Sequence, residues 1–462
     1  MEEMKHSKLS MASYGSAKAL NEFFNMAFMA FSFFFYETEI GLNVWLVGLG
    51  FVVFAIWNAI NDPLVGYLTE RPFKFTKRWG RRFPWVIFGG AFWVISYILI
   101  FTPPNVDPKS GAWILFIWLV IATCIYDTFA SIFFVNFSAI FPDKFRSVQE
   151  RRTVNAIATP VGILGIVAGG VVPPLLITYG DVNSYIIQAG IMVIVGLIIL
   201  ALAIPGCREE QETIDRYLDK HETKKEGDSF FTSLRIAMKQ RSFVFFIIAY
   251  LCYQTCTTLM QASTSYAVRY ILNMPASAMI LIMLGLLVGA VVSIPIWIKY
   301  AHKTNDNRKV IITAGILMVI ATAPLIFLEN YIALIIALFI WGLVFGGFWV
   351  MLAPVLADVI DESIVRTGKR EEGLYNGFQQ FFGRLSFLFS AISIAIVHTL
   401  TGFKEGAGPE AQPALAITGI HIHWGLIPMI FMLISVILLW KGYDLTADKV
   451  KLNQEKVKEL GL

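Results

Sequence analysis

The sequence predicts an all-α membrane protein of twelve transmembrane helices, arranged as two six-helix halves. Three observations carry that expectation. First, the 462-residue chain is 56% hydrophobic and only 15% charged, with a mean hydropathy of +0.65, whereas soluble domains carry about 25% charged residues. Second, twelve apolar runs are each long enough to cross the roughly 30 Å of bilayer hydrocarbon. Third, lysine and arginine are segregated to alternate loops.

The predicted spans are 12–36, 43–68, 83–102, 112–141, 154–178, 184–204, 242–270, 278–300, 310–328, 331–357, 373–400 and 418–440. With twelve spans, both termini lie on one side. The loops and termini of that side, with Lys299 at the adjoining end of its span, hold 32 of the 37 basic residues, against two (Lys109 and Lys404) on the other. The positive-inside rule therefore predicts cytoplasmic termini in a multi-pass plasma-membrane protein. No cleavable signal peptide is read in the opening MEEMKHSK, which lacks a short apolar core before a small-residue cleavage site. The four cysteines (Cys124, Cys207, Cys252 and Cys256) have no metal-site spacing and read as buried thiols.

A charged stretch divides the spans six and six. The expected organisation is an N-terminal half over 1–204, a cytoplasmic linker over 205–241, a C-terminal half over 242–441 and a cytoplasmic tail over 442–462. That layout is typical of transporters whose substrate site lies between two halves near the bilayer midplane. No nucleophile–base pair, metal motif or phosphate-binding loop argues for an enzyme. The predicted partners are a small-molecule substrate and membrane lipid, with no nucleic acid, no cofactor beyond a coupling cation, and a monomeric state.

Charges inside the spans are candidates for an ion or substrate path. Asp62 lies in WNAINDPLVG and shares a helix face with Asn58 four residues earlier. Pro63 lacks an amide hydrogen and so leaves the Ala59 carbonyl without its helical donor. Asp62, Asn58, Asn61 and that carbonyl offer oxygen ligands to sodium, a hard cation, by the logic that governs calcium and magnesium. A proton on Asp62 alone is the simpler alternative, and a structural salt bridge to Arg384 is a third reading. Lys18 and Glu22 are also four apart, either an ion pair within one helix or a substrate-binding pair with Asn21 beside them. For Asp127, helix packing and pathway lining are both open. Arg269 sits at the outer end of its span, where it can snorkel, and His421 and His423 read as interfacial. The aromatic run Phe23–Tyr36 reads as packing, with a route for an acyl chain as the alternative. The loop TERPFKFTKRWGRRFPW is either a solvated basic face or a conformational latch in which Glu70, Arg78, Arg81 and Arg82 cap helix ends.

Four motifs then appear in order: NDPLVG (61–66), RWGRRFPWVIFGG (78–90), FPD…QERR (141–152) and ADVID…TGKREEGLYNG (357–377). Across essentially the full chain they resemble the glycoside–pentoside–hexuronide:cation symporters of the major facilitator superfamily, of the melibiose-permease type. The resemblance implies the major facilitator fold and Na+- or H+-coupled symport of a sugar or glycoside. A lysophospholipid or other amphiphile is the alternative substrate, and a non-transporting membrane sensor the alternative class. It implies that Asp62 and Asn61 belong to a cation site in the second span. Glu22 falls where relatives bind sugar, Trp349 supplies an aromatic platform, and Arg384 stands where a lysine is usual, with Gln379 and Gln380 one turn before it. Three positions depart from the pattern. Asn58 replaces an aspartate, Phe134 replaces a sugar-contacting aspartate, and Thr159 stands near the place of a basic residue. Asp127, seven residues before Phe134, shares its helix face.

Overall fold

A computed structural model describes residues 5–69, 73–215, 230–369 and 371–460, and every regular element among them is helical. The chain divides into two compact units, one built chiefly from Met1–Glu226 and the other from most of the chain after Gly227.

The first unit holds helices α1 (Lys8–Phe34), α2 (Val44–Thr69), α3 (Thr76–Trp79), α4 (Phe83–Ile100), α5 (Ala112–Lys144), α6 (Val148–Leu176) and α7 (Val182–Cys207). Helix α1 starts where the Ser7 hydroxyl accepts the Ser10 amide, a cap that satisfies one of the orphan donors of a first turn. At its other end it widens into a π-turn, Phe35–Glu39. It packs on α6 and α7, while α5 packs on α2 and α4. The aromatic run is core: Phe23, Phe24, Phe28, Phe31, Phe33, Phe34, Phe35 and Tyr36 are all buried. Lipid tails are as apolar as these rings, so close packing rather than water exclusion holds the helices together. Small residues make that packing possible. A Cβ on Gly165 of α6 would collide with the Ala19 carbonyl of α1.

The second unit holds α8 (Phe230–Ala237), α9 (Arg241–Tyr266), α10 (Met279–Thr304), α11 (Asn307–Thr322), α12 (Tyr331–Thr367), α13 (Glu372–Arg384), α14 (Ser386–Thr401), α15 (Ala414–His421), α16 (Ile427–Lys441) and α17 (Ala447–Glu459). Its main contacts are α10 with α12, α9 with α16 and α14, and α11 with α12 and α16. Like α1, the leading long helix α9 ends in a π-turn, Ala267–Ile271. A third π-turn, Ile422–Leu426, joins α15 to α16.

Among the described residues, eleven helices are long and apolar enough to cross a membrane, against the twelve spans expected. The difference is the first. Its helix α1 is 27 residues long, about 40 Å at 1.5 Å per residue, but Lys8, Lys18, Asn21, Glu22 and Asn25 dilute its apolarity. The predicted linker region is partly helical, with α8 inside it, and 216–229 lie outside the described residues.

Replacing Gly165 by leucine is expected to push α6 off α1 and to cost about 1–3 kcal/mol of stability. A lowered melting temperature of the detergent-purified protein measures it, and a melting curve matching the parent would refute the close contact.

Candidate functional site

Asp127, near the middle of α5, is only 3% exposed, and Asn58 and Asn61 of α2 are 3% and 2% exposed. The Asn58 side-chain amide donates to one carboxylate oxygen of Asp127 at 2.6 Å. The Asn61 amide donates to the other oxygen at 3.2 Å and to the Asp127 backbone carbonyl at 3.3 Å. The spacing explains why both reach one carboxylate, since residues three apart on a helix are neighbours on its surface. On the same pair of helices, the Trp57 indole donates to the Thr128 hydroxyl at 3.0 Å. The ring of Tyr126 stacks on Phe28 of α1 at 5.0 Å, with the planes 9° apart. A buried carboxylate is tolerated when donors meet it, and here α2 supplies them.

The sequence left helix packing and pathway lining open for Asp127, with a part in coupling or charge-pairing, and the structure places its carboxylate in the packing of α5 on α2. It is the acceptor at the centre of the buried polar cluster. Asp62 is half-buried one turn beyond Asn58, and α2 runs through Pro63 as one continuous helix.

Lys18 and Glu22 do not close the expected ion pair. The Lys18 amine lies 3.5 Å from the Thr159 hydroxyl of α6, and its stem runs along Gly162, where a Cβ would touch it at 3.1 Å. A positive charge therefore reaches the Thr159 position from α1. Glu22 and Asn21 are half-buried on the same helix.

In the second unit, Trp349 of α12 is 39% exposed and stacks on Phe345 at 5.8 Å. Gln379 is half-buried and Gln380 exposed on α13. Arg384 is the last residue of α13, and the helix breaks at Leu385 before α14 begins. A cation at a helix C-terminus is favoured by the backbone dipole, and interrupted spans mark binding regions in transporters. Arg269 is 8% exposed, with its guanidinium over the Tyr270 ring at 5.4 Å. It is buried in protein rather than snorkelling.

The basic loop motifs meet within the first unit. Arg81 pairs with Asp143 at 3.1 Å, which joins the RWGRRFP and FPD segments. Arg82 reaches Asn136 at 3.5 Å, while exposed Arg78 lies over the Trp79 ring at 5.5 Å. The residue that caps the start of α4 is one the sequence did not single out. One carboxylate oxygen of Glu209 accepts the backbone amides of Arg82 at 2.7 Å and Phe83 at 3.0 Å. Glu70, expected to cap these helix ends, lies outside the described residues.

The model of the family described as MFS/sugar transport protein matches residues 13–447. The chain belongs to that family. It is a multi-pass membrane transporter of the major facilitator superfamily, not an enzyme. Among its relatives is the sodium-dependent lysophosphatidylcholine symporter 1 of Gallus gallus, 24% identical over 447 residues, covering 87% of this chain and 80% of that protein. Another is the isoprimeverose transporter of Lactiplantibacillus pentosus, 23% identical over 436 residues, covering 92% and 86%. The fold is similar to the inward-open conformation of the xylose transporter XylE from E. coli, with a TM-score of 0.65 and 12% identity, over 96% of this chain and 99% of that one.

Burial raises the Glu209 carboxyl above the ordinary glutamate range, against the two backbone donors that act to lower it. With a raised folded value, its contribution to stability is complete below the unfolded glutamate value and is lost as pH rises through the folded one. Glu209→Gln keeps an acceptor for both amides and removes the titration. It is expected to flatten that part of the stability–pH curve, as read from melting temperatures between pH 4 and 8. A parent-like slope in the variant would show that Glu209 does not titrate there.

Proposed function

We propose that the chain is a cation-coupled symporter working by alternating access, with Asp127, Asn58, Asn61 and Asp62 forming its cation site. The observation that carries this reading is the Asp127 carboxylate held by two side-chain amides inside the bilayer-crossing part of the first unit. An amide that donates through nitrogen presents its oxygen to the same point after a half-turn about its last torsion. A sodium ion entering beside Asp127 would thus exchange two N–H donors for two oxygen ligands without moving the helices. Asp62, one turn along α2, adds a second carboxylate. The relatives named as sodium-dependent symporters support Na+ over H+. In the second unit, Arg384 at the α13–α14 break is the coupling charge.

For the substrate we favour an amphiphile with a zwitterionic head, such as a lysophospholipid. Lys18 and Glu22 offer opposite charges on one helix face without closing an ion pair, and a zwitterion matches such a pair. Asn21 adds a hydrogen-bonding group on the same helix. Within the second unit, the partly exposed ring of Trp349 suits a quaternary ammonium through its π face, and Gln379 and Gln380 are that unit's own hydrogen-bonding candidates. A sugar or glycoside is the second reading. It is favoured by the relative named as an isoprimeverose transporter and by the same aromatic ring serving as a sugar platform. The basic loops support cytoplasmic termini in a plasma membrane.

Two outcomes test the proposal. In melting experiments on the purified protein, lysophosphatidylcholine is expected to stabilise only when Na+ replaces K+, by about 2.7 kcal/mol at a hundredfold excess over Kd. Stabilisation by a xyloside instead would favour the sugar, and stabilisation indifferent to the cation would sink coupling. Asp127→Asn is expected to raise the Na+ concentration at the midpoint of the melting effect at least about tenfold. An unchanged Na+ midpoint would remove Asp127 from the site.

A further inference from the structure

The arm that leads into α1 carries an imidazole set between two carboxylates, a cluster that the cation site does not use. The His6 and Glu150 side chains are only 7% and 4% exposed. One oxygen of Glu150, in the first turn of α6, accepts from the His6 backbone amide at 3.0 Å and from the His6 Nδ1 at 2.7 Å. On the other side of the ring, the buried Nε2 lies 3.0 Å from Oε1 of Glu210, just past α7, off the line of an ideal hydrogen bond. The other oxygen of Glu210 is held by the Lys5 amine at 2.8 Å, and Lys5 also reaches Glu212 at 2.6 Å. The imidazole packs edge to face with Phe145, the ring centroids 5.1 Å apart.

This geometry fixes where a proton goes. An ionised carboxylate can only accept, so Nδ1 carries the hydrogen that meets Glu150. In a neutral ring, Nε2 is then a bare lone pair facing an oxygen of Glu210, and the two repel. A second hydrogen on Nε2 turns that repulsion into attraction, and Coulomb attraction does not need the alignment of a hydrogen bond. A proton on Glu210 itself is opposed by Lys5. Burial acts to raise the Glu210 carboxyl, but opposing effects, the hydrogen bond from Lys5 foremost, hold it below the ordinary glutamate range.

The other titratable or charged groups nearby do not replace His6. Tyr14 of α1 shares Phe145 with it. At the end of α5, the Lys144 amine is committed to the Gly206 and Arg208 carbonyls at 2.7 and 3.1 Å. Arg151 of α6 is committed to the Phe145 carbonyl at 2.7 Å. Cys207 of α7 is buried beside Lys144, and Glu209, with Asp143 near it, is turned to the start of α4. The cluster also joins three helices. His6 precedes Ser7, the cap of α1, while Glu150 opens α6 and Glu210 follows α7. Helix α1 packs on both α6 and α7.

We propose that His6 is a proton-operated clasp. With a proton on each ring nitrogen it ties the arm and the start of α1 to α6 and to the segment after α7, and loss of one proton frees the arm. Glu150 and Glu210 must stay ionised for this, so the clasp closes over a window of pH. It opens at acid pH as the carboxylates take up protons, and at alkaline pH as the ring gives one up. The packing of α1 thereby responds to proton concentration on the side of the N-terminus. The assignment does not rest on the substrate or on the cation site of the first unit.

Amide hydrogen exchange of the arm, measured on the full chain in lipid nanodiscs and corrected for the intrinsic effect of pH, tests it. In the parent protein, protection of the His6 region is expected to fall at least about threefold in one step between about pH 6 and 9. Histidine-ring ¹⁵N NMR is expected to show both His6 nitrogens protonated on the acid side of that step. His6→Gln is expected to exchange at the released rate throughout, with no step. His6→Arg keeps a permanent charge and is expected to stay protected at alkaline pH. Glu210→Gln keeps the imidazole and is expected to move the step to lower pH by about half a unit or more. If the His6 variants fail to fold, the parent and Glu210→Gln profiles still decide. Protection in the parent that is flat over this range, a step that survives in His6→Gln, or a Glu210→Gln step identical to the parent's overturns the proposal.

Discussion

A bare carboxylate inside a lipid-embedded bundle is the constraint on which the first unit depends. Without donors, Asp127 would cost several kcal/mol to bury, and α2 and α5 would have no reason to keep one register. The two asparagines at positions 58 and 61 resolve this by giving both oxygens an amide hydrogen. They also fix which face of α2 meets α5, because only that face places the amides three residues apart opposite the carboxylate. The neighbouring contact of Trp57 with Thr128 on the same two helices fits that register. A hydrogen bond is satisfying here because it is reversible. An amide can be exchanged for a hard cation at small geometric cost, which a carbon-lined pocket does not allow.

Away from this cluster, helices also meet by close backbone approach. Gly165 admits the Ala19 carbonyl, and in the second unit Gly342 admits that of Leu286. Such contacts depend on the absence of a methyl group at those positions. Further polar contacts tie helix ends in the loops of the first unit. There Arg81 meets Asp143, His6 lies between Glu150 and Glu210, and Glu209 caps α4.

Much of this was legible beforehand. Hydropathy and the basic loops give the helices and their number to within one, and the first escapes because it carries Lys18, Asn21 and Glu22. Asp62 drew attention because it is followed by proline in an apolar run. The partner of the asparagines was harder to find. Asp127 sits 66 residues after Asn61, and nothing in local spacing announces a contact between two helices. Lys18 and Glu22 looked paired because four residues bring side chains together. Tertiary packing won instead, since Gly162 leaves room for the lysine stem to reach α6. Glu209 was silent for the same reason, being matched to backbone amides far away in sequence.

The carboxylate cluster, on the proposed reading, illustrates how a buried polar group sets the grip on an ion in such a fold. A ligand shifts a conformational equilibrium only by its differential affinity for the two states. A carboxylate already met by amides gains less from a cation than a naked one would, so its ion is bound reversibly rather than trapped. That moderation is useful to a carrier, because an ion held too tightly would never leave on the far side. In the first unit the proposed site is a hydrogen-bonded one, and an ion entering it would replace bonds that already exist. Loading then changes charge while leaving the helix register intact, and the larger movement is free to be driven by the substrate.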